Sequence, residues 1–271
     1  MKYQSLKSYL IAVDIDGTIV DNHLEIDQES IEVLKELSKD NIVILATGRP
    51  WRSSKYLYEI LNLNTPIINY NGAYVHHPSD KNFKDRMFTI KKESLFKVLE
   101  DNKDIIINAF CEIKDDLYLL KLDDLVKPFL DLDGAKLILG DFNTTLHHNS
   151  NGAILFTKSE GVKELEEYVK KNFDDILIRP WEFSDVHIVE LYNYKISKAH
   201  AILDICKYYG IDTNHTIAFG DGINDLDMLK CVKYGVAMEG GNTHILKNTN
   251  YKTSSVKEHG IAKFFKTFDF D

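Results

Sequence analysis

Two aspartates stand two residues apart in Asp14-Ile15-Asp16-Gly17-Thr18, at the end of the apolar run Tyr9-Leu10-Ile11-Ala12-Val13. Such a run, closed by Asp and Gly, reads as a buried parallel strand. Residues i and i+2 of an extended segment point the same way, so Asp14 and Asp16 can serve one pocket. Gly17 permits a sharp turn, and Thr18 can cap the next element. Aspartates also shape turns with no chemistry attached, but a second acidic group argues for more. Thr216-Ile217-Ala218-Phe219-Gly220 runs into Asp221-Gly222-Ile223-Asn224-Asp225, another apolar strand ending in Gly and carboxylates. Four carboxylates at the ends of two strands repel one another, which raises pKa values or requires a cation. Oxygen donors without a neighbouring His or Cys suit Mg2+.

Two shorter signals lie between these clusters. The apolar run Asn41-Ile42-Val43-Ile44-Leu45-Ala46 ends in Thr47-Gly48-Arg49, which offers a hydroxyl, a flexible backbone N–H and a fork of donors suited to phosphate oxygens. In Lys195-Ile196-Ser197-Lys198-Ala199-His200, Ser197 reads as a helix N-cap and Lys198 falls in the first turn, where the helix dipole disfavours a cation. Its position suggests a job, such as holding an anion.

Asp14 to Thr18, Thr47-Gly48-Arg49, Lys198 and Gly220 to Leu229 resemble the four ordered motifs of the haloacid dehalogenase superfamily. More narrowly, the chain resembles the Cof-type, sugar-phosphatase-like branch, in which a large α/β cap of type IIB is inserted between the second and third motifs. Asn69-Tyr70-Asn71-Gly72-Ala73 is similar to that branch's NGA segment, and Gly235-Val236-Ala237-Met238 to its GVAM segment. Ala199 stands where the branch usually has Gly, and Glu239-Gly240-Gly241-Asn242 is longer than its usual Gly-Asn step.

The resemblance implies a phosphatase of small phosphate monoesters. Asp14 is then the nucleophile that forms an aspartyl-phosphate, and Asp16 the acid and later the base. Mg2+ falls to the Asp14 carboxylate, the Asp16 carbonyl and Asp221, with Asp225 as a fourth ligand or just behind. Thr47, the Gly48 N–H, Lys198 and Asn224 hold phosphoryl oxygens. Arg49, Arg179, Trp181 and His187 are candidate contacts to substrate. A phosphomutase or phosphotransferase using the same Asp14 stays open, as does a ligand sensor without catalysis. A P-type ATPase is set aside by Asp16 and by the lack of a span.

The surrounding elements must bring these residues together. Strands are expected at 9–13, 42–46 and 66–70, with helices from about Asp27 and around 51–61. This alternation marks a doubly wound parallel α/β sheet, Rossmann-like in layout. From about Phe83 the texture changes to strands at 87–90, 105–113, 136–139, 154–157, 176–178 and 186–191, with helices at 94–100 and 161–171. The expected division is a discontinuous core, 1–82 and 192–271, around an inserted α/β cap, 83–191.

Composition agrees. The 271 residues suit two domains, and 44% hydrophobic residues can build cores. A net charge of −9 argues against nucleic-acid or anionic-membrane partners, so an anionic small metabolite must be attracted locally by Arg49, Lys198 and a cation. Cys111, Cys206 and Cys231 are odd in number and widely spaced, unlike a disulfide framework or zinc site. Lys2 and Lys7 precede an apolar stretch too short for a signal peptide or membrane span. The expectation is a soluble cytoplasmic protein; its oligomeric state is not legible. The pairs His76-His77 and His147-His148 lack a defined ligand set, and Gly220-x-Gly222 lacks the third glycine of a dinucleotide site.

Overall fold

The computed structural model describes residues 6–181 and 186–270; Lys2 lies outside them. Strand β1 (Leu10–Val13) is apolar and fully buried, so it needs a covering layer on each face. No helix starts at Thr18, which is buried in a tight turn. The capping role falls to Asp27, whose Oδ1 accepts from Ser30 N at 3.1 Å and opens α1 (Gln28–Leu37). Helix α1 buries Ile31, Val33, Leu34 and Leu37. Then come β2 (Ile42–Leu45), α2 (Trp51–Ile60), β3 (Ile67–Asn69) and β4 (Tyr74–His76), the last antiparallel to β3.

The middle of the chain forms β5 (Arg86–Met87), α3 (Lys92–Asp101), β6 (Ile106–Ile113), β7 (Asp116–Leu119), β8 (Lys136–Leu139), α4 (Phe142–Thr145), β9 (Gly152–Thr157), α5 (Gly161–Asn172), β10 (Ile176–Pro180) and β11 (His187–Asn193). Six of these strands make a sheet in the order β10-β11-β9-β6-β7-β8, antiparallel except for β7 beside β8. Leu95 and Val98 of α3 and Leu165 and Val169 of α5 pack on Ala109, Cys111, Ala153, Leu155 and Val189. The other face gathers Phe110, Leu117, Leu119, Phe156 and Ile188 with Val126. The strand expected at 87–90 stops at Met87, and Ile90 makes only an isolated bridge to Ser150. β7 was not expected; it follows a reversal in which Lys114 has φ 53°.

The chain then returns through α6 (Lys198–Tyr209), β12 (Thr216–Gly220), α7 (Leu226–Cys231), β13 (Tyr234–Met238), α8 (Thr243–Asn248), β14 (Tyr251–Thr253) and α9 (Gly260–Thr267). A parallel sheet runs β14-β13-β12-β1-β2. A parallel bridge from Ala46 to Ile68 sets β3 beside β2. The early strands therefore spread to one side of β1 and the late ones to the other. Ligands of open α/β sheets bind where this order reverses, beyond the carboxyl ends. One face packs Leu10, Ala12, Ile44 and Ala218 against Ala201, Ile202, Met228 and Ile245. On the other, Phe219 meets Phe264 and Phe265 with ring centroids 5.4 Å apart.

Two compact units result. One comprises the chain up to Arg49, Ser54–Arg86 and everything from Ser197 on; the other comprises Pro50–Ser53 and Met87–Ile196. These limits fall four to five residues later than 83 and 191, because Phe83 packs on the first unit's core and β11 continues to Asn193. No described helix is long and apolar enough to cross a membrane.

Candidate active site

The carboxyl ends of the adjacent strands β1 and β12 hold the acidic residues. Asp14 N donates to Phe219 O at 3.0 Å, so the first aspartate is tied to the neighbouring strand. Its buried carboxylate accepts the Lys198 ammonium at Oδ1, 2.7 Å away, and the same Nζ reaches Asp225 Oδ1 at 2.6 Å. Asp225 Oδ2 accepts from the backbone N–H groups of Asp221, at 3.0 Å, and Gly222, at 2.9 Å. Asp225 thus shapes the loop as well as carrying charge. Carboxylate oxygens of Asp14, Asp221 and Asp225 all lie within 4.8 Å of one another.

The charges do not balance: three carboxylates face one ammonium. Burial favours the neutral form of Lys198, yet Asp14 and Asp225 outweigh it and hold its pKa above the ordinary lysine value. The negative charge left over appears on the acids. Burial, then the charge of Asp225, pushes Asp14 well above the usual carboxylate range against the pull of Lys198. The same two causes lift Asp221 to about 7. A site of this composition has the oxygen donors and the surplus charge that a hard divalent cation needs.

Asp16 sits differently. Its exposed carboxylate takes the fork of Arg49, with Nε to Oδ2 at 2.9 Å and Nη2 to Oδ1 at 2.5 Å. Although burial opposes it, this bonding raises the Arg49 pKa above the ordinary arginine value. The side chains of Asp14 and Asp16 therefore have separate partners, and the three-carboxylate cluster does not include the Asp16 side chain. Gly17, at φ 71°, brings the chain so close to the second cluster that a Cβ there would overlap the Asp221 carboxylate. Gly241, in the lengthened Glu239-Gly240-Gly241-Asn242 step, lies against the Asp221 backbone, and Asn242 N donates to Asp221 O at 2.8 Å.

Thr47 follows β2 and is fully buried. Its Oγ1 accepts from Arg49 N at 3.1 Å, and its N donates to Ile68 O at 2.8 Å. Gly48 faces the Asn71 amide, about which a Cβ would find atoms 3.4 Å away. Asn71 Oδ1 in turn accepts from Asn224 Nδ2 at 2.9 Å. Thr47, Gly48, Arg49, Asp14, Asp16, Lys198, Asn224, Asp221 and Asp225 all lie in the first unit.

Arg179, Trp181 and His187 lie in the second unit, in β10, just after it and at the start of β11. Glu190 Oε2 accepts from Arg179 Nη2 at 2.7 Å and Nε at 3.2 Å and from Trp181 Nε1 at 3.4 Å. Arg179 also stacks 5.0 Å over the Tyr192 ring. The His187 carbonyl accepts from Thr157 Oγ1 at 3.3 Å. His76, set aside as a ligand, is buried, stacked on Tyr74 and bonded through Nε2 to Asn69 Oδ1 at 3.2 Å. Two site residues were not singled out from sequence. Asn71 had a signal in the Asn-Gly pair, but the pair also marks any tight turn. Asp227, which accepts from the N-cap Ser197 Oγ at 2.5 Å, lies inside the Gly220 to Leu229 segment that carries the resemblance, but neither its type nor its spacing marked it individually.

Comparisons with known proteins bear on the family and the fold. Residues 11–265 match the family model of haloacid dehalogenase-like hydrolases. The chain is 31% identical over 270 residues to the 5-amino-6-(5-phospho-D-ribitylamino)uracil phosphatase YitU of Bacillus subtilis, covering 97% of this chain and 98% of that one. The structure of a haloacid dehalogenase-like hydrolase from Bacteroides thetaiotaomicron superposes with a TM-score of 0.81 at 23% identity, covering 96% of this chain and 99% of the other. That of the subclass IIB sugar phosphatase BT4131 gives 0.78 at 23% identity, covering 96% and 98%.

Proposed function

The chain belongs to the haloacid dehalogenase-like hydrolase family, and on that premise we propose that this phosphatase, of the Cof-type branch, is a Mg2+-dependent cytoplasmic enzyme that hydrolyses small phosphate monoesters through an aspartyl-phosphate on Asp14. The observation that carries this reading is the buried Lys198 bridge between Asp14 and Asp225, with the Asp221 carboxylate beside it. Lys198 fixes Asp14 Oδ1, which leaves Oδ2 to attack phosphorus in line with the departing oxygen. The new bond is Oδ2–P and the broken one is the ester P–O. Substrate draws Arg49 away from Asp16, whose carboxyl then gives its proton to the leaving alkoxide and later takes one from the water that attacks phosphorus and releases Asp14. Thr47 Oγ1, the Gly48 N–H, the Lys198 ammonium and the Asn224 amide hold the phosphoryl oxygens as charge develops.

The Asp14 and Asp221 carboxylates and the Asp16 carbonyl would hold Mg2+, with Asp225 as a fourth ligand or just behind, and the cation would supply positive charge against the developing phosphoryl charge. For substrate we propose phosphorylated sugars and polyols. The activity of the Bacillus relative, on a phosphorylated ribityl compound, supports that class. Release of inorganic phosphate from a panel of phosphorylated metabolites, including 5-amino-6-(5-phospho-D-ribitylamino)uracil, tests the reading. Turnover is expected to require Mg2+ and to vanish in Asp14→Asn. Full turnover by Asp14→Asn, or in excess chelator, would refute it.

A further inference from the structure

One left-handed turn touches the segments that carry all four of the phosphate-holding groups named above. Tyr70, Asn71 and Gly72 have φ of 51°, 56° and 102°. Two successive left-handed residues with side chains are uncommon, and such strain persists only where the surroundings over-determine it. Here the constraints are visible. Tyr70 N donates to Arg49 O at 3.3 Å and Asn71 N to Thr47 O at 3.0 Å. Asn69 Nδ2 donates to the same Arg49 carbonyl at 2.9 Å. The Asn71 side chain lies against Gly48 and accepts from Asn224 Nδ2. Gly72 presses so closely on the backbone of Ser197 that a Cβ there would stand 2.6 Å from Ser197 O. The next residue is Lys198.

We infer that Asn71 is a positioning residue, which sets the spacing of Thr47, Gly48 and Asn224 around the phosphoryl group; the inference rests on the phosphatase reading. Asparagine suits the place for two physical reasons. It tolerates the left-handed region better than other residues with side chains. Its carbonyl oxygen takes one hydrogen of the Asn224 amide and leaves the other for a phosphoryl oxygen, whereas an aspartate would set a negative charge beside an anion. The link runs through Asn224, so Asn71 acts without touching the reacting atoms.

Asn71→Gly permits the same left-handed backbone and removes the side chain that meets Asn224. The test measures orthophosphate binding by calorimetry in Mg2+ buffer, together with KM and kcat for p-nitrophenyl phosphate. It compares wild type, Asn71→Gly, Asn224→Ala and the double variant. Asn71→Gly is expected to weaken orthophosphate binding and raise KM by about tenfold with a smaller change in kcat, and to add nothing in the Asn224→Ala background. Unchanged phosphate affinity and KM in a folded Asn71→Gly overturn the inference, as do losses that multiply in the double variant. A wild type that neither binds orthophosphate nor hydrolyses any ester overturns the phosphatase reading first and this one with it.

Discussion

The residue that governs the site's charge is Lys198. As the first residue of α6 it stands where the helix dipole disfavours a cation by roughly 0.3–1 kcal/mol. Leaving a buried carboxylate without its partner costs about 3–5 kcal/mol, so the two aspartates decide where the ammonium goes. Asp221 is the group left for a metal to neutralise. A carboxyl with a higher pKa in the folded chain than in the unfolded holds its proton more tightly when folded. The contribution of Asp221 to stability therefore falls as pH climbs from 3.8 toward about 7 in the metal-free protein. Mg2+ competes with that same proton. Its affinity is expected to rise with pH through about 7, and calorimetric titrations between about pH 5.5 and about pH 8.5 read this directly. A flat affinity across that window would remove Asp221 from the ligand set.

At the scale of elements, the site depends on how closely the turn after β1 approaches the loop after β12. Gly17 sits at that approach with φ 71° and no room for a Cβ beside Asp221. Gly17→Ala is expected to cost about 1–3 kcal/mol in urea unfolding, as a left-handed alanine with an added clash. It is also expected to weaken Mg2+ binding, because Asp221 must move. A folded Gly17→Ala with wild-type Mg2+ affinity would show that the contact is irrelevant to the metal. α6 shows the opposite kind of control, in which local signals and packing agree: Ser197 caps it by accepting from His200 N at 3.1 Å, and Gly210 at φ 70° ends it.

At the scale of the whole molecule, two separate cores sit on one chain. The inserted unit buries Leu155 among Ala109, Cys111, Leu165 and Val189, apart from the residues around β1 and β12. Leu155→Ala is expected to destabilise that unit by about 2–5 kcal/mol. Amide exchange then quickens in β6, β9 and β11 and stays unchanged in β1 and β12, because local stability follows local packing. Equal acceleration in both units would mean that they unfold as one.

The motifs were legible because backbone periodicity and residue type alone imply them. An apolar run ending in Asp-x-Asp-Gly is a buried strand with carboxylates at its end in almost any tertiary setting, and the strand-helix alternation announces a parallel sheet. The sequence also showed that Lys198 needed a reason to stand at a helix start. Partnership was not legible. That Lys198 spans Asp14 and Asp225, that Arg49 grips Asp16, and that Asn71 joins Gly48 to Asn224 are contacts between segments distant in the chain, 184 residues apart for Lys198 and Asp14. Only the register of β1 against β12 and the crossing of α6 bring them within reach. In the inserted unit, β7 escaped because Asp116-Leu117-Tyr118-Leu119 follows the charged reversal Lys114-Asp115 and only pairing with β6 and β8 makes it a strand, and β5 pairs through Arg86–Met87 alone. Residue chemistry is written locally along the chain, whereas hydrogen bonds and ion pairs form across space, so the tertiary fold alone chose which carboxylate met which cation.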